Sequence, residues 1–162
     1  MLGNRVMQNV LGLASNGEGV EDTLMEQYEK GDISTDVFIN TILQYASQET
    51  TREEVIAAWN SMHGGIPMER LQQIQQWKQA GHRLFLLSNN NELHWEDINQ
   101  VYDMSVFEHC FASHLMHTSK PALSIYEAVD AHLKALGCEQ PFHFVDDIAI
   151  NRHVAEILGW VT

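Results

Sequence analysis

Positive charge is scarce in this chain: 162 residues carry 9 Lys and Arg against 22 Asp and Glu, a formal net charge of −13. Gripping nucleic acid requires clustered Lys and Arg to neutralise phosphates, so this balance disfavours such a partner. It leaves room for a small phosphorylated molecule, since one well-placed lysine and a metal ion can manage a single phosphate. Cysteine is also scarce. Cys110 and Cys138 stand far apart and no secretory signal accompanies them, so they read as reduced thiols in the cytoplasm rather than a disulfide. Long apolar runs are missing too, and none approaches the roughly 20 residues that span a bilayer. The opening residues, Met1 to Arg5, have neither a charged nor an apolar signal region. No internal repeat, low-complexity tract or obligatorily disordered stretch is present. What is present is an apolar content of 44% with mixed charges, enough for one cytoplasmic domain with a core and a small insertion.

Residues 1 to about 62 read as helices. Glu21 to Glu29 has helical spacing and stops at Gly31-Asp32. Ser34-Thr35-Asp36 offers caps for a helix through Val37, Phe38, Ile42 and Tyr45. Either Thr50 with Glu53 or Thr51 with Glu54 forms a capping box for a further helix through Val55, Ile56, Ala58 and Trp59. After Gly64-Gly65-Ile66-Pro67 the texture changes. Met68 to Ala80 is an amphipathic helix with Leu71, Ile74 and Trp77 on one face. Leu84 to Leu87 is a short apolar run typical of a buried parallel strand. Helices are expected over roughly 95–104, 122–136 and 151–158, and further strands at 111–115 and 142–145. Strand and helix alternate from residue 68 onward, which predicts βαβ units and a parallel sheet.

In open α/β sheets ligands bind beyond the carboxyl ends of the strands, so the residues following each apolar run carry the chemistry. Ser88-Asn89-Asn90-Asn91 follow the first, and a hydroxyl with exposed amides there can hold phosphate oxygens; Ser and Asn also favour ordinary capped turns. Asp146-Asp147 follow the run at 142–145. Two adjacent carboxylates repel one another unless something offsets their charge, and a hard cation such as Mg²⁺ does so. The plain alternatives are solvated loop residues or a helix cap. Lys120, held extended before Pro121, can reach the same rim or sit solvated at the surface.

Order and spacing link the three. Leu-Phe-Leu-Leu-Ser-Asn-Asn-Asn (84–91), Ser-Lys-Pro (119–121) and Phe-Val-Asp-Asp-Ile-Ala-Ile-Asn (144–151) resemble the second, third and fourth motifs of the haloacid dehalogenase-like (HAD) superfamily. Ala155 to Trp160 is similar to that family's helix leading into its last strand. Tyr28 to Ser34 is similar to a segment of the helical cap in its sugar-phosphate phosphatase branch. The resemblance implies an α/β fold: a Rossmann-like parallel sheet with helices on both faces, plus a small helical cap. Residues 1–64 would form the mainly helical cap region and 65–162 an incomplete core.

Members of that family form an aspartyl-phosphate, dividing one hard displacement into two easier ones. One Asp attacks phosphorus and a second, two residues later, protonates the leaving group. By match to the motifs, Ser88 and the Asn89 backbone amide would bind phosphate. Lys120 would stabilise phosphate and nucleophile, Asp146 would ligate Mg²⁺, and Asp147 would support the metal's water shell or orient Lys120. The Asp-Asp pair favours a metal-dependent phosphatase of small phosphorylated metabolites over a 2-haloacid dehalogenase, which works without metal and tends to carry Ser-Asn-x-x-Asp there.

The chain departs from the family pattern in one respect. No apolar strand ending in the nucleophilic Asp precedes the cap segment: Asp22 follows no such strand, and Asp32 and Asp36 fall within the cap resemblance. In the family that strand lies between those ending at Ser88 and Asp146, so an incomplete chain, inactive as it stands, is the preferred expectation. A degenerate relative that binds phosphate or a partner without turnover is the alternative, and a homo-oligomer in which a neighbour fills the sheet is a third. Among other features, His109, His114 and His117 fit no common zinc-ligand spacing. Trp59 and Trp77 read as core, and Met62-His63-Gly64-Gly65 as a stretch near the entrance.

Overall fold

The computed structural model describes residues 23–162; Glu21 and Asp22 lie outside them. Local capping explains where the first helices begin. Helix α1 (Leu24–Glu29) starts at Thr23, whose hydroxyl accepts from the Glu26 amide while the Glu26 carboxylate accepts from the Thr23 amide. Ser34 caps α2 (Thr35–Tyr45). Thr51 and Glu54 form the box that opens α3 (Arg52–Asn60), so the second of the two candidate pairs is the one used. The apolar faces of these helices share one cluster, Tyr28, Phe38, Ile39, Ile42, Val55 and Trp59, joined by Leu93 from later in the chain. Phe38 stacks on Tyr28 and meets Trp59 edge-on, with ring centroids 4.1 and 4.7 Å apart.

The rest of the chain alternates helix and strand. Helix α4 (Met68–Gln79) precedes β1 (Phe85–Ser88), followed by α5 (Glu92–Val101), a 3₁₀ turn at Met104–Val106, β2 (His109–Ala112), and helices α6 (Ser113–Met116), α7 (Leu123–Ala135) and α8 (Ala149–Ile157). β1 and β2 run parallel, with Phe85 opposite His109 and Ser88 opposite Ala112. The architecture is thus α/β, as expected. A second core cluster, Phe111, Ile125, Tyr126, Val129, Leu133, Ala155 and Trp160, fills the space between the sheet, α7 and α8. Cys110 and Cys138 are free thiols. Among the described residues no helix is long and apolar enough to cross a membrane.

Three expectations need correction. The strand expected at 111–115 lies at His109–Ala112 and gives way to α6 at Ser113. Ser113 is buried there, its hydroxyl engaged by the backbone of Asn90 and Glu29, and the chain turns into a helix instead of extending. The segment 142–145 is not a strand. An extended segment becomes a ladder only with a hydrogen-bonded neighbour along its length, and here His143 makes a single bridge to Val161. Finally, α5 starts ahead of Trp95, because the Asn91 side chain accepts from the His94 amide and caps the helix there.

The first helices approach the sheet closely at Gly31, whose φ is +69°; a Cβ at this position would fall against the His114 carbonyl oxygen. Only glycine meets both the left-handed backbone and the close contact.

Candidate active site

The carboxyl end of β1 places Ser88 and Asn89 at the sheet's rim, and the loop before α7 brings Lys120 to them. The Asn89 side chain spans the gap: its Nδ2 donates to the Lys120 carbonyl and its Oδ1 accepts from the Lys120 amide, each at 2.8 Å. The Lys120 Nζ then reaches Asp146 Oδ2 at 2.6 Å, and the two side chains are 11% and 5% exposed. All three expected motifs therefore meet in one place, although their residues are 31 and 26 positions apart along the chain.

Asp146 is the centre of the arrangement. Its Oδ1 accepts from the Ile148 amide at 2.8 Å and from Asn151 Nδ2 at 3.0 Å, while Arg152 Nη1 donates to its backbone carbonyl at 2.6 Å. Burial pushes its carboxyl up. The hydrogen bonds from Lys120, Ile148 and Asn151, together with the lysine's charge, outweigh that and hold it below the ordinary carboxylate range. It is a desolvated carboxylate whose charge is met by the Lys120 ammonium. Its neighbour Asp147 is exposed and has no side-chain hydrogen bond among the described residues, so the carboxylate on Lys120 is that of Asp146. The Ser88 hydroxyl makes only a long 3.3 Å contact with the Asn89 carbonyl.

A second network ties this rim to the first helices. Asn91, 1% exposed, accepts from Trp59 Nε1 at 3.2 Å and donates to His94 Nδ1 at 3.2 Å. The opposite nitrogen of His94 lies 3.0 Å from the Trp59 carbonyl, and the imidazole stacks on the Trp59 indole. These partners are met by a neutral ring protonated on Nε2. The Ser113 hydroxyl accepts from the Asn90 amide and lies 2.6 Å from the Glu29 carbonyl and 2.9 Å from that of Asn90, to one of which it donates. Tyr28 Oη accepts from the Leu93 amide at 3.2 Å. His63, expected near an entrance, pairs with Asp97 at 2.8 Å and meets the His94 ring edge-on.

Asn91 and Asn151 fall inside the expected motifs without a task of their own there, and Ser113 falls inside the strand expected at 111–115. A polar residue five positions after the first Asp, in the opening turn of a helix, is the signal for Asn151. For Ser113 the signal is a hydroxyl that closes an apolar run.

Burial lowers the pKa of His94, partly opposed by the Trp59 carbonyl, and burial lowers that of His114, partly opposed by the Asn90 carbonyl. Both rings favour the neutral form when folded, so the unfolded chain binds protons more readily below the ordinary histidine value. Each should contribute a fall in stability of at most about 1.4 kcal/mol per pH unit as the solution is acidified through about pH 6.5. Urea unfolding between pH 7.5 and 5.5 should show this decline, and His94→Gln should make it shallower. An unchanged slope in that variant would refute the assignment.

Among the described residues no group of three or more His, Cys, Asp or Glu side chains gathers into a metal cage. Mg²⁺ rarely needs one, being held by one or two carboxylates with waters and phosphate oxygens. An ionised Asp146 under a rim of phosphate-compatible groups fits that requirement.

No protein-family model matches the chain. A HAD family enzyme from Bacteroides thetaiotaomicron superposes with a TM-score of 0.75 at 30% sequence identity, over 86% of this chain and 70% of that one. The wild-type HAD enzyme from that organism in complex with magnesium and inorganic phosphate gives a TM-score of 0.77 at 27% identity, over 97% and 81%. A HAD-like family hydrolase from Porphyromonas gingivalis shares the fold, with a TM-score of 0.71 at 24% identity over 98% and 79%. In sequence, a D-ribitol-5-phosphate phosphatase from Bacteroides thetaiotaomicron is 25% identical over 148 residues, 86% of this chain and 69% of that protein.

Proposed function

The chain belongs to the HAD family, and from that premise we propose that its site binds the phosphoryl group of a small phosphorylated metabolite together with Mg²⁺. The full activity of this reading is a phosphatase working through an aspartyl-phosphate. The observation that carries it is the buried Lys120–Asp146 pair, clamped to the end of β1 by Asn89. Ser88 and the Asn89 amide hold phosphate oxygens, Lys120 offsets their charge, and Asp146 ligates the metal. Asp147, exposed beside Asp146, supports the metal's water shell. Mg²⁺, when bound, supplies Lewis-acid stabilisation of charge on the transferring phosphoryl. The phosphatase similar in sequence acts on D-ribitol 5-phosphate, as its name states, which supports a sugar or polyol phosphate as substrate.

Residues 1–64 serve as a cap region and 65–162 as the core. Among the described residues, an apolar cluster of the first helices, joined only by Leu93 from later in the chain, and a second one around the sheet support that division. No Asp of the chain matches the family's nucleophile, and among the described residues β1 pairs only with β2. We infer that these residues bind phosphate without turning it over.

Calorimetry with MgCl₂ and inorganic phosphate tests the site. Phosphate should bind when Mg²⁺ is present, and Asp146→Asn should weaken Mg²⁺ binding at least about tenfold, the lower end of what even supporting residues of metal sites contribute. Absence of Mg²⁺-linked phosphate binding would remove the reading. Hydrolysis of p-nitrophenyl phosphate that disappears in Asp146→Ala would overturn the claim of inactivity and leave a working phosphatase.

A further inference from the structure

We propose that the Asn89 side chain is a positioning group that sets Lys120 on Asp146 and does not itself touch ligand. The proposal rests on the reading of Lys120 and Asp146 as the charged pair of the site. Motif matching gives a task only to the Asn89 backbone amide; the side chain has one of its own.

Both ends of that side chain are committed. Its NH₂ donates to the Lys120 carbonyl and its oxygen accepts from the Lys120 amide. The amide group thus mimics one rung of a ladder, satisfying the donor and the acceptor of a single residue. Lys120 needs this because nothing regular holds it: residues 117–122 lie between α6 and α7 without helix or strand. Elsewhere the loop's hydrogen bonds are local, from the Ala122 amide to the Ser119 carbonyl and between the Thr118 and Ser124 hydroxyls. A lysine on a free loop would lose backbone as well as rotamer freedom to meet one carboxylate. With its peptide groups fixed to the end of β1, only the four-carbon stem remains to be ordered.

Side-chain chemistry makes the clamp specific. Alanine removes both bonds. Serine is too short to span both Lys120 groups and retains one at most. Asp could still accept from the Lys120 amide but would set a carboxylate against the Lys120 carbonyl. Asn89 itself is exposed, so its replacement leaves no buried group stranded and the fold should tolerate it.

The test is a double-mutant cycle of Lys120→Met and Asp146→Asn, measured by urea unfolding with Asn89 intact and again with Asn89→Ala. The coupling between Lys120 and Asp146 should fall by at least half in the alanine background. Exchange of the Lys120 amide hydrogen, read by NMR, should speed up at least tenfold. Asn89→Ser should fall between the two. An Asn89 that merely supports the fold would lower stability and leave the coupling unchanged, and that result overturns the proposal, as does unaltered amide exchange. Neither readout uses phosphate or metal. Failure of the chain to bind phosphate would therefore count against the functional reading and leave the clamp to be judged by the cycle alone.

Discussion

Replacing Trp59 with alanine should cost about 4 kcal/mol of unfolding free energy, the range for emptying a fully buried aromatic site. The indole is 1% exposed and lies among the rings of Phe38, Tyr28 and His94. Its removal opens a cavity that three helices cannot easily collapse upon, because each is fixed by its own cap. It also takes one of the two donors from the Asn91 carbonyl oxygen, leaving only the His94 amide. Trp59→Phe spares part of the packing. It keeps one six-membered ring but loses the N–H with the rest of the five-membered ring, so a smaller deficit of about 1–3 kcal/mol is expected, from the lost bond and a smaller cavity together. Urea titration of both variants checks the pair. Equal losses would mean that the hydrogen bond, not the packing, dominates.

The second large effect is expected at Lys120. Lys120→Met should destabilise the chain by about 3 kcal/mol at neutral pH, because it leaves a carboxylate that is 5% exposed without its counter-charge. The Ile148 amide and Asn151 remain, so the anion is not wholly abandoned. Adding Asp146→Asn should recover much of the loss, since two neutral side chains are cheaper to bury than one lone charge. The pH dependence follows from the depressed carboxyl of Asp146. A lowered folded value contributes stability that is present above the ordinary carboxylate range and lost as pH falls through the folded value. The gap between wild type and Lys120→Met should therefore be widest at neutral pH and narrow in acid. A gap that stays constant down to pH 3 would contradict the pairing.

Two helix starts were legible in the sequence because a cap is a local event: Ser34 with Val37 and Thr51 with Glu54 each act within three residues. The equally local box of Thr23 with Glu26 lies inside the stretch expected to be helical from Glu21. The rim residues were legible for a different reason. Ser88, Lys120 and Asp146 follow one another in a family order, and the structure brings them together. What could not be read was pairing at a distance. The run at 142–145 has the composition of a buried strand, yet strand formation depends on neighbours, and it has one bridge to Val161. The Asn89 side chain looked like part of a turn because its partner lies 31 residues away. Asn91 was hidden in the same way, its indole partner being 32 residues upstream. Even Met68–Gln79, correctly placed as a helix, keeps Leu71, Ile74 and Trp77 only half-buried, which periodicity alone cannot foretell.

The Ser113 hydroxyl bears on how the molecule assembles. Its bond to the Glu29 carbonyl joins residues 84 positions apart, and Gly31 meets the His114 carbonyl beside it. Closing a loop of that length costs about 1.2 kcal/mol more than closing one a quarter as long, since each doubling adds about 0.6 kcal/mol. Helices α1 to α3, with their own caps and shared aromatic cluster, can gather early from near neighbours. Their attachment to the sheet waits for β2 to bring Ser113 into place. The seam between the two halves should therefore form late in folding and open early in unfolding, which would appear as faster hydrogen exchange of the Asn90 amide than of the amides within α2 and α3.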